Sequence, residues 1–215
     1  MALADDPNLP PEIRSYSIAA AIFLCHARFE NYVSDLVDAG VAALTGHAPN
    51  AAGLPSELRA FAFAHSLNLP QLFANFQANK DEARLIAGIK GQFSNNRISL
   101  LVGAAPAPTL NGSEVIRKQR YPSEDNLEKV FMRLGMSKIF NSLTLRLKTD
   151  SKLLLRGLSD KRTELAHNAV LSGTSAQDVL ADLDKLELLV AAIDRETYSH
   201  VAHYAKEVRW HTAVV

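Results

Sequence analysis

The apolar residues Ile18, Ile22, Phe29, Val33, Leu36, Val37, Gly40, Val41 and Leu44 recur mostly at steps of three and four. That spacing lines one face of an α-helix. Pro10 and Pro11 stand where a helix tolerates proline, and Glu12 suits the positive end of the dipole. Gly46 can end the element. The pattern therefore predicts one long amphipathic helix at the start of the chain. After a loop of Ala, Pro, Asn and Gly, Pro55-Ser56-Glu57 opens a second helix to about Leu67. Pro70 begins a short apolar piece, Leu72 to Phe76. Asp81 to Gln92 reads as helix, broken by Ser94-Asn95-Asn96. Ile98 to Val102 is partly β-branched but reads as helix, because a lone strand would find no partner.

Gly103 to Pro122 reads as irregular. It holds Pro106, Pro108 and Pro122 and the turn signal Asn111-Gly112. Ser123 then caps a helix that stops at Gly135, and a second runs from about Ser137 to Leu147. Asp150 caps a third, through Leu153, Leu154 and Leu158 to about His167. Gly173 closes the next loop. Ser175 with Asp178 resembles a capping box, with Asp in place of the usual Glu or Gln. It opens a long last helix reaching towards Val208. The fold class is all-α. Residues 1–11 read as a flexible acidic lead and 12–210 as a single helical domain.

At 47% hydrophobic and 21% charged residues the chain can build a packed core. Its formal charge of zero argues against indiscriminate binding to nucleic acid or anionic membrane. Cys25 is the only cysteine, which excludes an internal disulfide and a thiolate zinc site. It lies in an apolar stretch and reads as a small core residue. A reducing, cytoplasmic location fits this usage best. The acidic start is unlike an export signal, and the longest apolar patch, Ile18 to Cys25, is far short of a membrane span.

Charge is uneven along the second half. Lys129, Arg133, Lys138, Arg146, Lys148, Lys152, Arg156, Lys161 and Arg162 form a basic run that holds only Asp150 and Asp160 as acids. The last helix carries Asp178, Asp182, Asp184, Glu187, Asp194 and Glu196. The run is either a positive face or an ordinary solvated surface.

Common catalytic motifs are missing. No glycine-rich phosphate loop and no His-Glu-x-x-His occurs. His200 and His203 lie one turn apart but lack a nearby third ligand, so no metal site and no cofactor is expected. What remains is Arg162-Thr-Glu-Leu-Ala-His167. A histidine that titrates near neutrality can take a proton from a ribose 2′-hydroxyl or give one to a leaving 5′-oxygen. A guanidinium can grip the phosphate through two parallel hydrogen bonds. Residues five apart on a helix point about 140° apart, so the pair converges only if the helix loosens near His167 or the site lies in a cleft. The spacing alone is unspecific: Arg195 and His200 share it, and Arg59 and His65 miss it by one residue.

Three segments, in order, resemble the HEPN superfamily, in particular its ribonuclease-like RiboL-PSP-HEPN branch. Phe29-Glu30-Asn31-Tyr32 with Leu36 and Val37 looks like that branch's aromatic-Glu element on a long first helix. Tyr121-Pro-Ser-Glu-Asp-Asn-Leu-Glu-Lys-Val-Phe-Met-Arg-Leu-Gly135 resembles its proline-led helix ending in Leu-Gly. Leu158-Ser-Asp-Lys-Arg162-Thr-Glu-Leu-Ala-His167-Asn resembles its Arg-x4-His segment. Together they cover most of residues 16–205. The resemblance implies a HEPN-like bundle with long first and last helices. It also implies a metal-independent endoribonuclease that acts as a toxin or in anti-phage defence, with an antitoxin or defence-system protein as partner. Two subunits would pair so that both Arg-His segments face one cleft. Arg162 would bind the scissile phosphate and His167 would handle protons. Glu30, Thr163 and Asn168 would support them, with Glu30 pairing with Arg162 across the bundle. Arg117, Lys118, Arg120 and Lys161 are the candidate RNA-binding cations.

The chain departs from the pattern in two places. Thr163 stands where active members often carry Asn, Asp or His. Ala169 stands where toxins silenced by AMP transfer carry Tyr. Three classes of function therefore stay open: an RNA-cleaving enzyme, a non-catalytic module binding a partner protein or nucleotide, and a structural helical dimer.

Overall fold

The computed structural model describes residues 8, 10–66, 69–93, 98–104, 107, 109–168 and 173–205. These form ten α-helices and a 3-10 turn, with no strand among the described residues. In chain order the helices are α1 (Pro11–His47), α2 (Ser56–Ser66), α3 (Leu69–Asn79), α4 (Glu82–Phe93), α5 (Ile98–Val102), α6 (Gly112–Ile116), α7 (Glu124–Arg133), α8 (Ile139–Leu147), α9 (Ser151–Asn168) and α10 (Ala176–Tyr204). Most of the expected acidic lead lies outside the described residues.

The two long helices and α9 form the centre, each packing on the other two. The stripe foreseen on α1 is buried from Ile18 to Leu44, and it also contains His26. Opposite it, α10 buries Val179, Leu189, Ile193 and Val201. The Tyr32 hydroxyl donates to the Val190 carbonyl at 3.2 Å, tying α1 to α10. Burial and the nearby Asp194 carboxylate push this phenol well above its usual range, so it stays a donor. From α9, Leu155, Leu158 and Leu165 fill the remaining space. Phe131 of α7 is fully buried, and cutting it to Ala costs about 3–5 kcal/mol.

Local chemistry sets the helix ends that matter for the site. Ser123 accepts the Asn126 N–H at 3.3 Å and starts α7. The chain then reverses at Gly135, whose φ of +95° favours glycine. Asp150 accepts the Lys152 N–H at 2.9 Å and starts α9. Beside it the buried Ser151 hydroxyl donates to the Phe140 carbonyl at 2.9 Å, which seats α9 on α8. The Ser175–Asp178 capping box is formed in both directions at the start of α10.

One expected loop is partly helical. Within Gly103–Pro122 the short α6 forms because Asn111 caps it, accepting the Ser113 N–H at 3.0 Å, and because Val115 and Ile116 are buried. Gly112 lies so close to α1 that a Cβ there would come within 2.3 Å of an Asp38 oxygen. Asn111-Gly112 is thus a helix cap and a close approach. At the far end, α10 closes at Tyr204, and the stretch reaching to Val208 lies outside the described residues. No described helix is long and apolar enough to cross a membrane.

Candidate active site

Arg162 lies on α9 where that helix meets α1, and its side chain is half-buried. Its guanidinium carbon lies 5.0 Å from the centre of the Tyr121 ring. Tyr121 in turn stacks on His26 of α1, with ring centres 4.9 Å apart and planes inclined by 14°. The backbone holds Tyr121 in register: its carbonyl accepts the Ser123 N–H and the Asn126 side-chain amide, both at 2.9 Å. Three segments distant in sequence therefore meet in one column of ring, ring and guanidinium.

His26 is only 4% exposed, and its Nε2 has no hydrogen-bond partner among the described residues. A buried polar atom left unpaired costs about 1–3 kcal/mol. Burial, and then the positive charge of Arg162, pull the imidazole pKa below its usual value, so the ring stays neutral.

Tertiary packing breaks up the basic run. Lys152 pairs with Glu124 and Glu128, Arg156 with Glu124, and Arg146 with Glu196. Arg133 donates to the Val115 carbonyl and lies 4.5 Å over the Phe61 ring. Lys161 reaches Asp182, which is 5% exposed and also accepts from Lys185 at 2.9 Å. Burial alone would raise the Asp182 carboxyl, but the two ammonium groups outweigh it and hold it below the ordinary range. Lys161 is thus committed to a buried carboxylate, which draws on the charge it was expected to offer to RNA. The acids responsible come from α7 and α10, out of sequence with the run. Arg162 differs from these paired neighbours, since it forms no ion pair among the described residues.

That finding corrects one expectation. Glu30 is half-buried on α1 but makes no ion pair with Arg162, whose place beside α1 is taken up by Tyr121 and His26. The helix does not loosen near His167 either, since α9 stays regular through Asn168. His167 is therefore exposed and well around the helix from Arg162. The Thr163 hydroxyl donates to the Ser159 carbonyl one turn back, at 2.9 Å. The side chain of Asn168 and all of Ala169 lie outside the described residues.

Arg117, Lys118 and Arg120 are exposed on the segment that leads from α6 directly to Tyr121. The turn is closed by the Gln119 N–H on the Ile116 carbonyl at 2.8 Å, with Lys118 in the left-handed region at φ +65°. None of the three cations is ion-paired among the described residues. Burial, and then the charges of Arg133, Arg117 and Lys118, pull the His65 pKa down against the opposing charge of Glu114.

The competing Arg-His pairs have different fates. His200 donates from Nε2 to the Leu134 carbonyl at 2.8 Å, and its ring packs beside Gly135. It closes the end of α7, while Arg195 faces solvent. His65 packs against Phe61 with ring centres 4.4 Å apart and planes tilted by 56°. No group of three His, Cys, Asp or Glu residues suited to a metal occurs among the described residues. Cys25, expected in the core, is half-buried against it, and burial raises its thiol pKa. An open cavity of about 410 Å³ lies beside His200, lined by Ser137, Lys138 and Ser142 among others, and none of the predicted site residues borders it.

Sequence reasoning missed His26 as a site residue and gave Tyr121 no role of its own. A signal for His26 existed: it sits four residues after Ile22 and three before Phe29, on the apolar stripe itself. Nothing local points from there to Arg162.

Neither a search of curated proteins nor one of solved structures found a match. A family model described as RiboL-PSP-HEPN matches residues 2–199, a span that takes in α1, Tyr121 and the Arg162–His167 segment. With nearly the whole chain matched and an all-helical architecture, the protein belongs to the RiboL-PSP-HEPN family.

Proposed function

We propose that this protein is a metal-independent endoribonuclease acting as a toxin or anti-phage effector, working as a homodimer. The observation that carries the reading is the state of Arg162. It is half-buried on α9, whose other cations Lys152, Arg156 and Lys161 are each matched with carboxylates, yet no described carboxylate neutralises it. A partly desolvated guanidinium without a counter-charge is a phosphate site in waiting.

The chemistry follows from the two side chains. The His167 imidazole takes the proton from a ribose 2′-hydroxyl, and the 2′-oxygen attacks the adjacent phosphorus. Arg162 holds the non-bridging oxygens as charge builds on them. The bond from phosphorus to the 5′-oxygen breaks, and a protonated histidine supplies the leaving oxygen with its proton. The products are a 2′,3′-cyclic phosphate and a 5′-hydroxyl. Because α9 is regular between Arg162 and His167, one chain holds them on different sides of a helix. A two-fold pairing lets Arg162 of one subunit work with His167 of the other. Arg117, Lys118 and Arg120 lead RNA towards Tyr121 and the arginine.

The test is cleavage of labelled RNA by purified protein in EDTA. Wild type is expected to cleave, while Arg162→Ala and His167→Ala are each inactive. Mixing the two inactive variants should restore part of the wild-type activity, because about half of the dimers that form are mixed and bring one intact Arg162 opposite one intact His167. Equal cleavage by all three proteins would remove these residues from the mechanism. A second reading, a binding module without catalysis, draws support from Thr163, whose hydroxyl serves its own helix. It predicts RNA or nucleotide binding without turnover.

A further inference from the structure

A catalytic arginine must be held within a fraction of an ångström, although its side chain is long and flexible. A carboxylate partner would hold it but would also occupy its N–H donors and cancel its charge. An aromatic face holds a guanidinium through the ring's π-electrons and takes no donor. Tyr121 is such a face, 5.0 Å from the Arg162 guanidinium carbon, and is itself pinned by two hydrogen bonds to its carbonyl. His26, buried and stacked on Tyr121, fixes the ring in turn. An apolar side chain at 26 would spare the fold a buried nitrogen without a partner. A flat neutral ring at that depth gives Tyr121 a surface to lie on.

We propose that Tyr121 and His26 are positioning residues for Arg162: the His26–Tyr121 stack sets the plane and place of the guanidinium and leaves its N–H donors to the scissile phosphate. This rests on the ribonuclease reading for its consequence, but the holding itself is a property of the folded chain. Neither residue touches the reacting atoms, so their loss should act on turnover more than on RNA binding, which the cations at 117, 118 and 120 supply.

The test uses the full chain with Tyr121→Leu, Tyr121→Phe and His26→Leu, and Arg162→Lys as reference. Tyr121→Leu is expected to lower kcat roughly ten- to hundredfold with little change in KM. Tyr121→Phe, which keeps the ring, should recover most of that loss, and His26→Leu should fall between. Independently of activity, the Arg162 Nε–H resonance in a ¹H–¹⁵N spectrum, assigned by its loss in Arg162→Lys, should be displaced by the ring current. It should move in Tyr121→Leu and stay in Tyr121→Phe. If Tyr121→Leu does not fold, His26→Leu carries both measurements. Unchanged kcat and resonance in the leucine variants would overturn the proposal, as would a Phe variant as impaired as Leu. A wild-type protein that cleaves no RNA, yet whose Arg162 resonance depends on the ring, would sink the ribonuclease reading and leave the positioning intact.

Discussion

Two segments of this protein carry the same spacing, Arg162–His167 on α9 and Arg195–His200 on α10, and packing has given them opposite designs. On α10 the histidine turns inward and donates to the Leu134 carbonyl, while the arginine faces solvent. On α9 the arginine turns inward onto Tyr121, while the histidine is exposed. The first is a structural clamp, closing the end of one helix with the side chain of another. The second leaves the arginine on an aromatic face with no carboxylate partner among the described residues, and the histidine exposed. Spacing on a helix says which side chains are near neighbours. Which of them is consumed by the fold depends on what lies opposite.

The comparison breaks most visibly with the two histidines. His167→Ala should lower RNA cleavage by roughly 10²- to 10⁴-fold with stability unchanged, as expected for a lost general acid or base. His200→Ala should do the reverse. Activity persists wherever the protein is folded, while the urea midpoint falls by the equivalent of about 1–2 kcal/mol, because the Leu134 carbonyl loses its donor. If His200→Ala is inactive yet stable, the two segments have been assigned the wrong way round.

The cation beside Arg162 sharpens the contrast. Lys161→Met strips one of two partners from buried Asp182 and should cost roughly 2 kcal/mol at neutral pH. The sign of the pH dependence follows from the carboxyl, whose folded value lies below its ordinary 3.8. Its contribution is complete above the unfolded value and is lost as the pH falls through the lower, folded value. Wild-type stability should therefore decline on acidification in that region, and Lys161→Met should flatten the decline. An equally steep acid slope in the variant would count against the pairing.

The smallest effect compares unpaired with paired surface cations. Arg117→Ala and Lys118→Ala should each reduce the salt dependence of RNA binding by about one unit in the log–log slope. Lys152→Ala should leave the slope unchanged, because that ammonium already faces Glu124 and Glu128. Equal changes in all three would mean that the ion pairs open to RNA.

Much of the helical layout is readable in one dimension, for reasons that are local. The α1 stripe, the Ser123 cap, the Asp150 start of α9 and the Ser175–Asp178 box all depend on residues within a turn or two of each other. The short α6 was not legible, because its apolar residues gain their stability from burial in the tertiary core. The basic run was misleading for a related reason. Its counter-charges, Glu124, Glu128, Asp182 and Glu196, lie before and after it in the chain and reach it only once the helices are assembled.

The same division holds at the candidate site. Sequence by itself determined that the chain is helical, where its main helices begin and end, and that Arg162 and His167 stand five residues apart near the end of one of them. These are matters of periodicity and short-range hydrogen bonding, which adjacent residues settle between themselves. Only the tertiary structure decided that Arg162 would rest on Tyr121 and His26 instead of Glu30, that Lys161 would be drawn to Asp182, and that His200 would serve as a clamp. Each of those outcomes depends on which side chains of separate helices meet at contact distance. Charge pairing, ring stacking and desolvation act only over such distances, so they are set when the core closes.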